Sequence, residues 1–297
     1  ECLLANEGVV PCNVDSEGES GFGGGYREDD NSGTLSYVVL TEGGFEFAPG
    51  NEINGISLIG VGSGTTLDHI QIDSNADDGI EFYGGNVSVK YLVLTGNLDD
   101  SLDWDEGWQG NVQYLLAIQT ANGTEGNGIE ADTEGTTDFL SKPTIANATF
   151  VFDTEDPRGW VFKASSGGFL LNSIGTVANG NTTVTDCVEV VGTGAQSNIG
   201  VGLAFSNVLA DCPNFGDAGL EAASLNVITG VAADLNAFYA SQAAQAAGQP
   251  INIANFNATY AESTADATFL DDTDYIGAVD PAATEGWFEG WTLDGTL

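Results

Sequence analysis

Asn75-Ala-Asp-Asp-Gly-Ile-Glu-Phe82, Asn97-Leu-Asp-Asp-Ser-Leu-Asp-Trp104 and Glu125-Gly-Asn-Gly-Ile-Glu-Ala-Asp132 are three acidic segments of one design. The step from Asp78 to Asp100 is 22 residues, and from Asp100 to Asn127 it is 27. Between the segments lie the apolar runs Val87-Ser-Val-Lys-Tyr-Leu-Val-Leu94 and Asn111-Val-Gln-Tyr-Leu-Leu-Ala-Ile118. Self-similarity at this period, built from strands and Gly/Asn/Asp turns, is the mark of a solenoid. Equivalent positions of a solenoid stack, so the carboxylates are expected to form a column on one side of the molecule.

The β pattern extends in both directions. Leu35-Ser-Tyr-Val-Val-Leu40, Gly55-Ile-Ser-Leu-Ile-Gly60 and the alternating Thr66-Leu-Asp-His-Ile-Gln-Ile72 precede the acidic segments, and Thr144 to Phe152 and Phe169 to Val177 follow them. Taking His69, Tyr91, Tyr114, Ala148 and Ser173 as equivalent gives steps of 22, 23, 34 and 25, with an inserted loop around residues 132–142. Asn207-Val-Leu-Ala210 reads as one further strand. The expected fold is all-β, a solenoid of stacked strands over residues 35–215. An irregular Gly- and Glu-rich segment, 1–34, precedes it. Residues 216–297 read as a helix-containing cover and a tail docked on the same domain. One amphipathic helix is expected across 232–249, shielding strand edges that would otherwise aggregate.

Composition limits the partners. Of 297 residues, 44 are Asp or Glu and 5 are Lys or Arg, a formal charge of −39. Nucleic acid and anionic membrane surfaces both require positive charge on the protein, so neither is expected as a partner. Cations, saline surroundings and basic proteins are favoured. With 42% hydrophobic residues and 15 Phe, 8 Tyr and 5 Trp, the chain has the means to bury a core and is not a disordered acidic tail. Cys2 with Cys12 and Cys187 with Cys212 read as two local disulfides of an oxidising compartment. No C-x-x-C spacing supports a four-cysteine metal site. The segment contains no membrane-inserting stretch. Sequons stand at Asn86, Asn122, Asn147, Asn181 and Asn257.

From Phe45-Ala-Pro-Gly-Asn-Glu-Ile-Asn-Gly through the first two acidic segments, and again at the closing Tyr275-Ile-Gly-Ala…Gly290-Trp291-Thr292, the chain resembles a family of bacterial cell-surface proteins, often lipoproteins. The resemblance covers most of the chain. It implies a right-handed parallel β-helix at the cell surface and no particular reaction. Members of that family usually begin further upstream, so an extracellular chain trimmed at Glu1, anchored through a preceding segment, is expected.

Three chemistries compete for the acidic column. Asp77, Asp78, Glu81, Asp99, Asp100, Asp103 and Asp105, with Glu106 beside them, offer hard oxygen ligands for Ca2+, and a divalent ion relieves the repulsion of carboxylates stacked about 4.8 Å apart. Neither the EF-hand loop nor the Gly-Gly-x-Gly-x-Asp repeat is present. The bland alternative is that Asp and Asn here only make turns. The second chemistry is polysaccharide cleavage by Asp78, Asp99 and Asp100. Asn75…Asp77-Asp78 followed by Asp99-Asp100 is partly similar to polygalacturonase motifs, but the Gly-His-Gly and Arg-x-Lys of those enzymes are missing. A lyase would have to draw its base from Arg158 or Lys163. The third is sugar stacking on Phe82, Tyr83, Trp104 and Trp108, against which stands simple core packing. His69 reads as an ordinary strand residue, since one His cannot build a zinc site. The combined expectation is a non-enzymatic extracellular surface protein, structural, adhesive or ligand-capturing. It is held by calcium and able to self-assemble as a homo-oligomer or filament, with polysaccharide or another surface protein as further partners.

Overall fold

In a computed structural model the chain is described over residues 14–16, 22–24, 27–48, 52–120, 126–133 and 139–297. The Cys2–Cys12 pair, the Asn122 sequon and most of the 1–34 segment lie outside these residues. Within that segment, β1 (Val14–Asp15) and β2 (Phe22–Gly23) form a short antiparallel pair.

Every other strand among the described residues runs parallel to its neighbours. The long strands β3 (Thr34–Thr41), β5 (Thr66–Asp73), β7 (Val89–Thr95), β9 (Asn111–Ile118), β11 (Thr144–Phe152), β13 (Gly168–Val177), β15 (Leu203–Asp211) and β16 (Leu225–Thr229) stack in that order into one sheet. The short strands β4 (Ile56–Ile59), β6 (Ile80–Tyr83), β8 (Leu102–Asp105), β10 (Ile129–Ala131), β12 (Arg158–Phe162) and β14 (Asp186–Val190) stack into a second. The first six turns each contribute one rung to each sheet, and β15 and β16 extend the long-strand sheet alone, which makes the molecule a parallel β-helix, as the spacing of the acidic segments predicts.

The long strands bend at one residue apiece. Tyr37, His69, Tyr91, Tyr114, Asn147, Asn172, Asn207 and Asn226 all have φ between 45° and 62°, and the strand registers set each beside the next. A left-handed residue slips the in–out alternation by one. In β5 the inward residues are therefore Leu67, Ile70 and Ile72, not a strict every-second series. Asn tolerates this conformation better than other non-glycine residues, and four of the eight positions use it. The aromatic members instead stack ring on ring, at centroid separations of 4.3, 4.5 and 4.9 Å from Tyr37 to Tyr114. Two assignments change here. Tyr114 is level with Asn147 and Asn172, not with Ala148 and Ser173, because the step across the insertion is one residue shorter. His69 is a bend residue held between Tyr37 and Tyr91 rather than an ordinary strand residue. The insertion lies where expected: the link from β10 to β11 is longer than those from β6 to β7 and β8 to β9.

The core fills the interior with Ile80, Phe82, Leu102, Trp104, Trp108, Phe150, Trp160 and Phe162, all at 0% exposure. Phe82, Trp104 and Trp108 are thus core, and Tyr83 is buried outside that cluster, its hydroxyl accepting from Asn54 at 3.2 Å, which removes all four as sugar platforms. Cys187 and Cys212 form a disulfide that ties β14 to the end of β15.

Residues 230–297 lie along the outer face of the long-strand sheet. Outward-facing Val93 and Leu116 are covered by Ala278, Val279 and Phe288, and Phe169 and Leu171 by Ile253 and Phe256. Ladder side chains also hold the backbone of this cover. Gln113 accepts from Asp271 N and donates to Asp271 O, at 2.8 and 2.9 Å, and Asn172 does the same for Ile251.

The single helix expected across 232–249 is not formed. Four short helices occur among the described residues: α1 (Gly192–Asn198), α2 (Ala218–Ala223), α3 (Gln242–Ala247) and α4 (Ile253–Thr259). The Asn236 carboxamide accepts from Phe238 N and Ala240 N, and Asp234 and Tyr239 have positive φ. This local turn competes with a helix, which starts only where Ser241 caps α3. None of the described helices is long and apolar enough to cross a membrane.

Candidate metal centre

The cover leaves the short-strand sheet as the second long face of the solenoid. In each short strand the flanking residues point inward, as Ile80 and Phe82 do, and the central residue points out. The registers stack these central residues as Ser57, Glu81, Asp103, Glu130, Val161 and Glu189. Three successive rungs therefore carry a carboxylate at the same place.

The turn before each short strand adds more. Asp78 and Asp100 are stacked neighbours, both at 4% exposure. The main-chain N–H of Asp100 donates to Asp78 Oδ1 at 2.9 Å, and that of Asn127 donates to Asp100 Oδ1 on the next rung. Asn75 and Asn97 brace the same turns: Asn75 donates to Asp78 O at 2.8 Å, and Asn97 Oδ1 accepts from Asn75 N. Gly126 is required here, since a Cβ would collide with the carboxylates of Asp99 and Asp100.

Two sets of oxygens converge. Asp78, Asp100 and Asp103 each bring a carboxylate oxygen within 4.8 Å of the others, and so do Asp77, Asp78 and Asp99. Asp78 belongs to both. Asp103 Oδ1 is buried with no hydrogen-bond partner. Of the other expected ligands, Glu81 accepts from Asn54 at 2.5 Å and Asp105 accepts from Glu106 N at 2.6 Å. Neither joins these sets, although Glu81 raises the pKa of both Asp78 and Asp103. Glu106 occupies a left-handed turn position.

Burial pushes all three carboxyls of the Asp78–Asp100–Asp103 set well above the ordinary carboxylate range. For Asp78 the next cause is Asp103, then Asp100; for Asp100 it is Glu130; for Asp103 it is Glu81. Lys163 is the nearby cation, and it opposes the rise at Asp100 and Asp103. It is engaged elsewhere, donating to Glu130 at 2.6 Å and standing 3.8 Å from Asp132. Arg158 is clamped by Asp156 and Glu189.

Glu130 and Asp132 belong to the same face but were not among the candidate ligands read from the sequence. Both lie in the third acidic segment. Aligning Leu102-Asp-Trp104 with Ile129-Glu-Ala131 would have placed Glu130 beside Asp103.

The donor set is all oxygen, which suits a hard divalent ion. Two ligands on opposite sides of calcium stand up to about 5 Å apart, from bond lengths of about 2.3–2.6 Å. Each set therefore fits around one ion, with remaining positions left to carbonyls and water.

Fold and site together define an acidic parallel β-helix with a carboxylate column on its short-strand sheet. The chain belongs to the family described as the pectate-lyase like beta helix domain, whose sequence model matches residues 5–292. No curated protein and no solved structure matches it.

Proposed function

We propose that this protein is a non-enzymatic extracellular scaffold that takes calcium on its short-strand sheet and works at a cell surface as a structural, adhesive or ligand-capturing element. One observation carries the reading: Asp78, Asp100 and Asp103 crowd their oxygens within 4.8 Å on adjacent rungs, two of them buried. Uncompensated burial of carboxylates is costly, and here the local lysine is already committed. A bound divalent ion resolves the conflict, and the −39 charge supplies the attraction that concentrates cations. The Cys187–Cys212 disulfide fits an oxidising, extracellular setting. The test is calorimetric titration with calcium at high NaCl, where saturable binding lost in Asp78→Asn is expected.

Family membership favours a second reading, polysaccharide cleavage by Asp78, Asp99 and Asp100. Two features of the site weigh against it. Inverting hydrolysis separates its two carboxyls by about 6.5–9.5 Å to admit water, and retaining hydrolysis by about 5–5.5 Å; Asp78 brings an oxygen within 4.8 Å of one on Asp99 and of one on Asp100, which argues against the inverting route alone. A lyase needs a basic side chain able to lose its proton. Hydrogen bonding and attraction from Glu130 outweigh the desolvation of Lys163 and push its pKa up, and Arg158 is held by two carboxylates. Release of reducing or unsaturated ends from pectate or neutral glycans that depends on Asp100 would favour the enzyme.

A further inference from the structure

A cleft of about 440 Å³ opens on the opposite side of the molecule, between the aromatic end of the bend column and the tail. Its walls are the rings of Tyr91, Tyr114, Tyr275 and Trp287, and Asp280, Glu285 and Glu289 also line it. No Lys or Arg is among the lining residues. This volume is that of a small-molecule site.

The chain shows nearby what such a grouping holds. Lys90 Nζ lies 5.9 Å from the centroid of the Tyr114 ring and 2.7 Å from Asp271 Oδ2, an ammonium between an aromatic ring and a carboxylate. Tyr114 donates to the same Asp271 oxygen at 3.0 Å. The cleft offers the same two chemistries without a cation of the protein's own. The chain has none to spare, because Arg27, Lys90, Lys142, Arg158 and Lys163 are all ion-paired.

The rings differ in availability. Tyr91 is stacked between His69 and Tyr114, and Trp287 packs on Trp291. Tyr275 is half-buried and takes part in none of the ring pairs among the described residues, so its faces are not spent on another ring. Burial and the neighbouring Asp280 push its phenol up, which keeps it neutral.

We infer that this cleft binds a small organic ammonium ion, quaternary or primary, with its charge against the Tyr275 ring and the carboxylates of Glu285 and Asp280. An aromatic face attracts such a cation through the ring quadrupole, and more strongly when the site excludes water. The surrounding negative charge raises the local concentration of cations. The inference does not rest on the calcium reading, since the cleft and the carboxylate column lie on different sheets.

Isothermal titration of the full chain with choline tests it, in high NaCl with calcium present, so that general attraction to an acidic surface is screened. Neohexyl alcohol, the uncharged isostere of choline, and butylammonium are titrated in parallel. The expected result is saturable one-to-one binding of choline or butylammonium, with neohexyl alcohol weaker by about tenfold. Tyr275→Leu should weaken cation binding about 3- to 30-fold. Glu285→Gln, at an exposed position, should weaken it with no change in melting temperature, and serves alone if Tyr275→Leu fails to fold. Absence of saturable binding by either cation, equal binding of the neutral isostere, or binding untouched by Glu285→Gln would overturn the inference.

Discussion

The main-chain N–H of Asp100 donates to the Oδ1 of Asp78, 2.9 Å away on the preceding rung. One carboxylate oxygen thus pins the next acidic turn, and the side chain also meets Asp100 and Asp103 in a single cluster. Asp78 therefore has two duties, a structural hydrogen bond and a share in both sets of converging oxygens, and substitution can separate them. Asp78→Asn keeps an acceptor for Asp100 N and sheds one crowded charge, so in EGTA it should be at least as stable as the parent while losing calcium stabilisation. Asp78→Ala loses the acceptor as well and should cost about 1–3 kcal/mol even without metal. Urea unfolding with and without calcium measures both.

Asp103→Asn removes one of the crowded charges at a side chain whose Oδ1 has no hydrogen-bond partner to lose. In EGTA its melting temperature should rise above that of the parent. In calcium the order should reverse. A variant that is destabilised equally in both conditions would show that Asp103 serves packing alone.

The pH dependence has a definite sign. The folded-state pKa values of Asp78, Asp100 and Asp103 are raised, first by burial and then by neighbouring carboxylates. Between the unfolded value, about 3.9 for Asp, and the raised folded value, the native state holds more protons than the unfolded chain. Stability from these groups is then greatest at low pH and falls as pH rises through that window. Asp156 and Asp271 act oppositely. Burial raises each, but Arg158 and Lys90 respectively outweigh it and lower the folded pKa, so their stabilisation is lost as pH falls below the ordinary Asp value. In EGTA, melting temperature should decline from about pH 4 toward neutrality. Asp103→Asn should flatten that decline, whereas global self-repulsion of the −39 chain would leave it nearly unchanged.

Gly126→Ala tests how tightly the turns are stacked. The added Cβ meets the Asp99 and Asp100 carboxylates and the Asp99 backbone. Overpacking of this kind costs about 1–3 kcal/mol. The loss should appear in both EGTA and calcium, with weaker calcium binding because Asp100 is displaced.

Gln113→Ala should release the tail without unfolding the solenoid. It removes both hydrogen bonds to the Asp271 backbone and the contact with Asn147 Oδ1. Faster amide exchange and protease cleavage around residues 266–280, with the strand amides of β9 and β11 still protected, is the expected pattern.

Much of the rung architecture can be read directly from the sequence. The acidic segments repeat at near-coil spacing, and Ile80-Glu-Phe82, Leu102-Asp-Trp104 and Ile129-Glu-Ala131 each place one carboxylate between two inward apolar residues. The bend was not legible, because it depends on the backbone: His69 and Tyr91 take a left-handed φ that their residue types do not announce, and only the run of Asn147, Asn172, Asn207 and Asn226 hints at it. The helix expected across 232–249 failed for a local reason, the competing turn at Asn236. Of the candidate ligands, Asp77, Asp78, Asp99 and Asp100 converge because their turns stack, and Asp103 joins them from the strand that follows. Glu81 shares the register position of Asp103 but turns to Asn54, and Asp105, two positions further along its strand, accepts from Glu106 N. The aromatic content of the tail suggests docking, but the cleft beside it depends on which rung Tyr275 reaches.

The most direct test of the account is thermal unfolding in calcium against EGTA, at fixed high NaCl so that screening is constant, for the parent chain and Asp78→Asn. The account predicts a rise in melting temperature with calcium, growing with free calcium as expected for a ligand bound only by the folded state, and absent in Asp78→Asn. Equal melting temperatures of the parent in calcium and EGTA would contradict it. They would leave the Asp78–Asp100–Asp103 cluster to share protons instead, and polysaccharide cleavage would become the reading to pursue.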